Sequence, residues 1–267
     1  MAFAAANEQE TESPFSKLDW HVGPSVEQVV GKATLKIPDD DFAFLDDKNS
    51  EQFLVLTENL PEQGTNIVYA WEDGWWATFS FDPVGYVKDD EEIDADALMK
   101  DMKKGSITSN KERRRLKLPP IYTEGWHTPP HYDLQTKRLE WATRLRSDGQ
   151  ISLNYTVRLL GRNGVMSATL VSSPETLDKD IVSFKQFLTG FEFNAGERYA
   201  EFKKGDRIAE FGLAALIAGG AAAVATKKGF WAAIGGFFAV AWKLIVAGIF
   251  AAFAALRGLI KIKKKKS

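Results

Sequence analysis

KRLEWATRLRSDGQISLNYTVRLLGRNGVMSATLV, residues 137–171, reads as three consecutive strands over 137–146, 151–160 and 164–171. Two turn signals separate them. Ser147-Asp148-Gly149 and Gly161-Arg162-Asn163-Gly164 supply the Asp-Gly and Asn-Gly pairs that suit tight hairpins. Connections this short join antiparallel neighbours, since parallel strands need a long crossover. The stretch predicts an antiparallel meander.

Downstream, Pro174 opens a helix whose apolar residues Ile181, Phe184, Phe187 and Leu188 share one face and would cover the sheet. Upstream, residues 121–126 read as a strand. Residues 66–71 and 75–81 form a hairpin around Glu72-Asp73-Gly74, with Trp75 and Trp76 on opposite faces. A helix begins in the acidic stretch 89–101 and runs toward Lys104, and a second covers 108–118 before Pro119-Pro120 stops it. Residues 28–37 alternate as one half-buried strand, and 50–56 suit a short helix. Strands, helices, meander and closing helix in that order predict an α+β fold with helices packed on an antiparallel sheet.

The last quarter of the chain is of a different character. Residues 211–226 carry no charge, and residues 230–256 are broken only by Lys243. A membrane span needs roughly 20 apolar residues, so a C-terminal transmembrane helix or helical hairpin is expected. Its residues include Phe211, Gly212, Gly219, Gly220, Phe230, Trp231, Trp242 and Lys243. The small residues around Gly219-Gly220 suit close helix packing, and with it a homo-oligomer. Lys243 would cost about 2.5–3.5 kcal/mol at a bilayer centre, roughly offset by the surrounding Leu, Ile, Phe and Val. One and two crossings both stay open, as does a hydrophobic hairpin buried in an oligomer.

Charge divides along the same line. Residues 206–267 hold ten Lys/Arg against Asp206 and Glu210, a balance of +8, so the formal −2 of the whole chain leaves −10 on the first 205 residues. An acidic body and a basic tail argue for lipid head groups as partner and against nucleic acid. The absence of cysteine removes disulfides, thiolate nucleophiles and cysteine-ligated metals. MAFAAANEQE lacks the basic and apolar regions of a signal peptide, while Ala2, Phe3 and Ala4 resemble the end of one. The expected organisation is a flexible leader or signal-peptide remnant over 1–19, an α+β domain over 20–205, and a membrane anchor with a Lys-rich tail over 206–267.

Chemistry concentrates in Gly125-Trp126-His127-Thr128-Pro129-Pro130-His131-Tyr132-Asp133, which holds two of the three histidines. A rigid aromatic loop joining two strands is the simpler reading, with Trp126, His127, His131, Tyr132 and Asp133 as ligand-binding candidates. The alternative is a metal held by His127, His131 and Asp133 or Glu124. The Pro-Pro pair forbids the helix that would align the histidines. Trp71, Trp75 and Trp76 suggest an aromatic platform, and residues 111–117 a basic surface for acidic lipid or phosphate. Nucleophile elbows and phosphate-binding glycine loops are absent from the sequence, and no cofactor is expected.

Several strings together resemble an uncharacterised bacterial family of predicted membrane-anchored proteins, the domain of unknown function 2167. They are Gly85-Tyr86-Val87-Lys88-Asp89-Asp90, Asn110-Lys111-Glu112-Arg113, the 125–133 segment with Leu139-Glu140-Trp141-Ala142, Asn154-Tyr155, Leu160-Gly161-Arg162, and Tyr199-Ala200 leading into residues 211–216. The resemblance implies export and anchoring and carries no established activity to transfer; positive-inside reasoning on the terminal lysines adds an expected place at the bacterial inner membrane, with the domain in the periplasm. The expected function is a non-catalytic binding or accessory module of the envelope, acting through an envelope protein partner. The alternative is a membrane-bound metal-dependent hydrolase using His127, His131 and Asp133.

Overall fold

The computed structural model describes residues 13–218, apart from 58, 60, 61 and 116. Among the described residues, two antiparallel sheets and four α-helices make up the fold. The large sheet has eight strands: β1 (His21–Val22), β4 (Phe42–Leu45), β5 (Thr65–Ala70), β6 (Trp76–Asp82), β10 (Val165–Ser172), β9 (Gln150–Leu160), β8 (Arg138–Ser147) and β7 (Tyr122–Asp133), in that spatial order. The small sheet is β11 (Phe191–Phe193), β3 (Ala33–Ile37) and β2 (Ser25–Val29). The helices are α1 (Asp47–Leu56), α2 (Ala95–Arg115), α3 (Leu177–Phe187) and α4 (Leu213–Ala218). The α+β class and the antiparallel sheet are as expected, and β8, β9 and β10 pair as the meander that residues 137–171 predict.

Strand alternation puts successive side chains on opposite faces, and here both faces are covered. One packs against the small sheet and α3: Leu35 and Ile37 meet Trp75, Phe79, Tyr155 and Leu170, with Phe184 and Phe187 closing the layer. The other face carries two separate apolar clusters. Phe53 and Leu54 of α1 sit on Ile67, Tyr69, Trp76 and Val171 at one end, joined by Phe15 and Leu18. Leu98, Met99 and Met102 of α2, with Leu213, Leu216 and Ile217 of α4, sit on Leu139, Trp141 and Leu145 at the other. Trp75 and Trp76 therefore point opposite ways, each into a core, and form no exposed platform.

Four local expectations need correction. Residues 28–37 are not one strand but the hairpin β2–β3, turned at Val30 and Gly31 with φ of 43° and 67°. A β-branched residue at positive φ is rare, so Val30 concealed the turn; its N–H donates to Asn66 Oδ1 at 2.9 Å. The two helices near residues 89–118 are one, α2, which passes through Gly105. Glycine costs about 1 kcal/mol in a helix, but Gly105 lies on the buried face, beside the Ser106–Thr123 hydroxyl contact of 2.6 Å, and Asn110 clamps both backbone groups of Ile121 at 2.7 and 2.8 Å. The 125–133 segment is not a loop but the continuation of β7. Proline is tolerated there because β7 is an edge strand with register shifts at 123–131. Finally, part of the expected leader is folded: Pro14–Lys17 forms a 3₁₀ turn that buries Phe15.

Among the described residues no helix is long and apolar enough to cross a membrane. The expected anchor lies mostly outside them, including Gly219, Gly220, Phe230, Trp231, Trp242 and Lys243. Its first residues are described, and they belong to the folded body. Tyr86 and Ile208 form a parallel bridge, flanked by hydrogen bonds from Tyr86 N–H to Arg207 O (2.8 Å) and Ala209 N–H to Tyr86 O (2.9 Å). Glu91 then accepts the Ala214 N–H at 2.9 Å, at the free N-terminus of α4. Phe211 packs on the α2–α4 cluster. Gly212 passes so close to Glu91 that a Cβ would lie 2.3 Å from its carboxylate.

Candidate functional site

The candidate residues of β7 do not converge. Trp126 and Tyr132 face the α2 side: the Trp126 indole donates to Ala95 O at 3.1 Å, and the Tyr132 hydroxyl to Asp89 at 2.9 Å. Lys137 Nζ reaches the same Asp89 oxygen at 2.7 Å. Burial works to raise the Asp89 carboxyl, yet the Lys137 ammonium and the Tyr132 hydroxyl hold it below its ordinary value, while burial and Asp89 push the Tyr132 phenol far up. His127 turns the other way, to Asp178 in the first turn of α3 at 3.2 Å. His131 stands opposite Glu140 in register. Asp133 is taken up by its own turn, accepting from the amides of Gln135 and Thr136. Trp126, His127 and Tyr132 pin the sheet edge to its neighbours. Among the described residues no group of three His, Asp or Glu side chains is placed to hold a metal ion.

A second site comes from the sheet registers. On the face that carries α1 and α2, three rows of paired residues cross the strands from β5 to β8. The first runs Tyr69, Trp76, Val171, Asn154, Thr143; the second Ile67, Thr78, Thr169, Thr156, Trp141; the third Thr65, Ser80, Ser167, Arg158, Leu139. The apolar ends of these rows belong to the two separate cores. Between them lies a band of hydroxyls, one amide and one guanidinium, lined by Thr78, Thr143, Asn154, Thr156, Arg158, Ser167 and Thr169.

This band is buried. Asn154 is 4% exposed and Arg158 8%. Arg158 Nη1 binds Asp82 at 2.8 Å, and the Thr156 and Thr169 hydroxyls meet at 3.3 Å. Yet Asn154 Oδ1, Asn154 Nδ2, Arg158 Nε and Thr65 Oγ1 have no hydrogen-bond partner. An unsatisfied buried polar group costs about 1–3 kcal/mol, and native folds leave few of them. Three of these atoms, on Asn154 and Arg158, lie in the band and are what a polar ligand, or a set of bound waters, would satisfy. With Arg158 paired to Asp82, the band is close to neutral and offers donors and acceptors together.

Sequence reading missed this site for a physical reason. The alternation in Ser152, Asn154, Thr156 and Arg158, with Leu153, Tyr155, Val157 and Leu159 between them, is the pattern of a strand with one wet face. The usable signal was that β6, β9 and β10 all carry Ser, Thr or Asn at the same parity, which the hairpin registers align.

The family model described as "Protein of unknown function (DUF2167)" matches residues 22–250. No curated protein and no solved structure matches the chain.

Proposed function

Since the chain belongs to the DUF2167 family, for which no activity is described, we propose from its residues that it is a membrane-anchored, non-catalytic binding or accessory protein of the bacterial envelope. Its apolar C-terminal run enters the inner membrane, its folded body stands on the periplasmic side, and the polar band of the large sheet engages a neutral ligand that both donates and accepts hydrogen bonds. A saccharide has that chemistry, its hydroxyls matching the Asn154 amide and the threonine row.

The observation that carries this reading is the Asn154 side chain, buried with neither polar atom partnered. A group so placed is a cost to the fold alone, and ligand contact removes that cost. The sequence supports the anchored part, because residues 211–226 carry no charge and residues 230–256 only Lys243.

The test is thermal unfolding of the full chain in detergent against a panel of neutral saccharides, with Asn154→Leu alongside. A ligand at a hundred times its Kd adds about 2.7 kcal/mol, an upward shift in Tm that Asn154→Leu should abolish while itself unfolding no earlier than the parent. Shifts that persist unchanged in Asn154→Leu would remove the band from the proposal. One equivalent of transition metal in the purified chain, lost in His127→Ala/His131→Ala, would instead favour the hydrolase.

A further inference from the structure

Helix α2 is cationic in an acidic body. Its 21 residues hold seven Lys/Arg and three Asp/Glu, a balance of +4, within a 205-residue region that is −10 in all. Most of that charge is placed on one side, although Arg113 is buried on the other and Lys104 is paired with Asp101 at 3.0 Å. Lys100, Lys104, Ile107, Lys111 and Arg114 recur at i, i+4, i+7, i+11 and i+14 and are all exposed, which makes them a single stripe about 20 Å long at 1.5 Å per residue. The buried side of the same helix, through Leu98, Met99 and Met102, packs on Leu213, Leu216 and Ile217 of α4.

Two features separate this stripe from an ordinary solvated face. Its centre is Ile107, 61% exposed between lysines, so the stripe pairs a cationic rim with an apolar middle, as interfacial helices do. It also lies beside α4, the first turn and a half of the apolar run, so a run entering a bilayer brings α2 to the head-group layer.

We propose that the outer face of α2 docks on an anionic lipid surface next to the point where the chain enters the membrane, fixing the orientation of the domain. The inference rests on the anchored reading above. Lysines and Arg114 meet lipid phosphates, and Ile107 reaches the boundary between head groups and acyl chains.

The cysteine-free chain allows a single probe. Ile107→Cys in the full chain carries an environment-sensitive dye, and Val182→Cys, 69% exposed on α3 beneath the opposite sheet face, is the control. Each is mixed with vesicles of neutral lipid alone, or of neutral lipid with a substantial anionic fraction, and followed by flotation and emission. Flotation with both vesicles, with a blue shift at 107 only in the anionic ones, supports docking; Lys100→Glu/Lys111→Glu and high salt should then abolish the shift while flotation persists. Flotation with both and no shift at 107, or an equal shift in neutral vesicles or at 182, overturns the docking and leaves the anchor standing. Flotation with anionic vesicles alone overturns the anchor; with a blue shift at 107 it still supports contact of α2 with anionic lipid, and without one it is the Lys-rich tail that binds and the docking is overturned. No flotation overturns both.

Discussion

Tyr86 lies flat on Tyr199, with ring centroids 4.3 Å apart and planes 18° from parallel. The Tyr199 hydroxyl donates to Val87 O at 2.9 Å, and burial together with Tyr86 and Asp89 pushes that phenol far above its ordinary range. Two segments more than a hundred residues apart are joined here, and both carry strings through which the sequence resembles its family. The same 85–91 segment bridges Ile208 and caps α4, so the contact sits at the exit of the folded body.

Aromatic pairs contribute about 0.5–1.5 kcal/mol beyond the area they bury. Tyr86→Leu, Tyr199→Leu and the double variant should therefore give a coupling energy of about 1 kcal/mol, read from urea unfolding of the full chain. Strict additivity would show that the two rings act independently.

Gly85 and Gly149 separate backbone conformation from space. Both have positive φ, at 92° and 79°, but a Cβ at Gly149 meets nothing within 4 Å, whereas at Gly85 it would stand 2.6 Å from Arg207 O. Gly149→Ala should cost about 1 kcal/mol, the left-handed penalty alone. Gly85→Ala should cost clearly more, and should open the 206–209 segment to amide exchange. Equal losses would mean the close approach yields freely.

How much of this was readable in the sequence depends on whether a residue's neighbours were local. The 137–171 meander and the 71–75 hairpin were legible because turn chemistry and two-residue periodicity are local signals. Asn154 was not, because its alternation is the same whether water or protein covers the face. Gly105 and Val30 misled for the complementary reason: each breaks a local rule that packing against β7 or a bond to Asn66 overrides. Trp126 and Tyr132, read as ligand-binding candidates, turn toward α2, where they bond Ala95 and Asp89. The separation of His127 from His131 and Asp133, however, follows from bulges that no spacing rule reveals.

Asp41 gives a pH signature. Burial, together with Glu72, Asp39 and Asp73, outweighs the Glu72 amide it accepts and pushes its carboxyl up to about 6. Its folded value exceeds the 3.8 of the free group, so between those limits the native state holds a proton that the unfolded chain releases. Stability from this residue falls as pH rises through the window. Asp41→Asn keeps an acceptor for the Glu72 N–H, so it should raise the unfolding midpoint at about pH 7 and leave it unchanged near pH 4. A variant less stable at neutral pH would show that the carboxylate itself is needed there.

Asp206 has the opposite sign, and it sits where the domain meets the apolar run. Arg162 binds it through two nitrogens, each at 2.7 Å, and the Lys203 amide donates to it as well. These bonds hold its carboxyl down at about 2. A depressed folded value means the contribution is complete above the free group's range and lost as pH falls toward the folded one. Asp206→Asn should thus lower the urea midpoint of the full chain near pH 6, and the gap between parent and variant should close between about pH 4 and pH 2. Arg162→Lys, made in the parent, should keep only part of this contribution, because an ammonium cannot reproduce the two-pronged guanidinium contact. If the gap were independent of pH, the loss would come from packing, and the Arg162 ion pair would not be what closes this end of the fold.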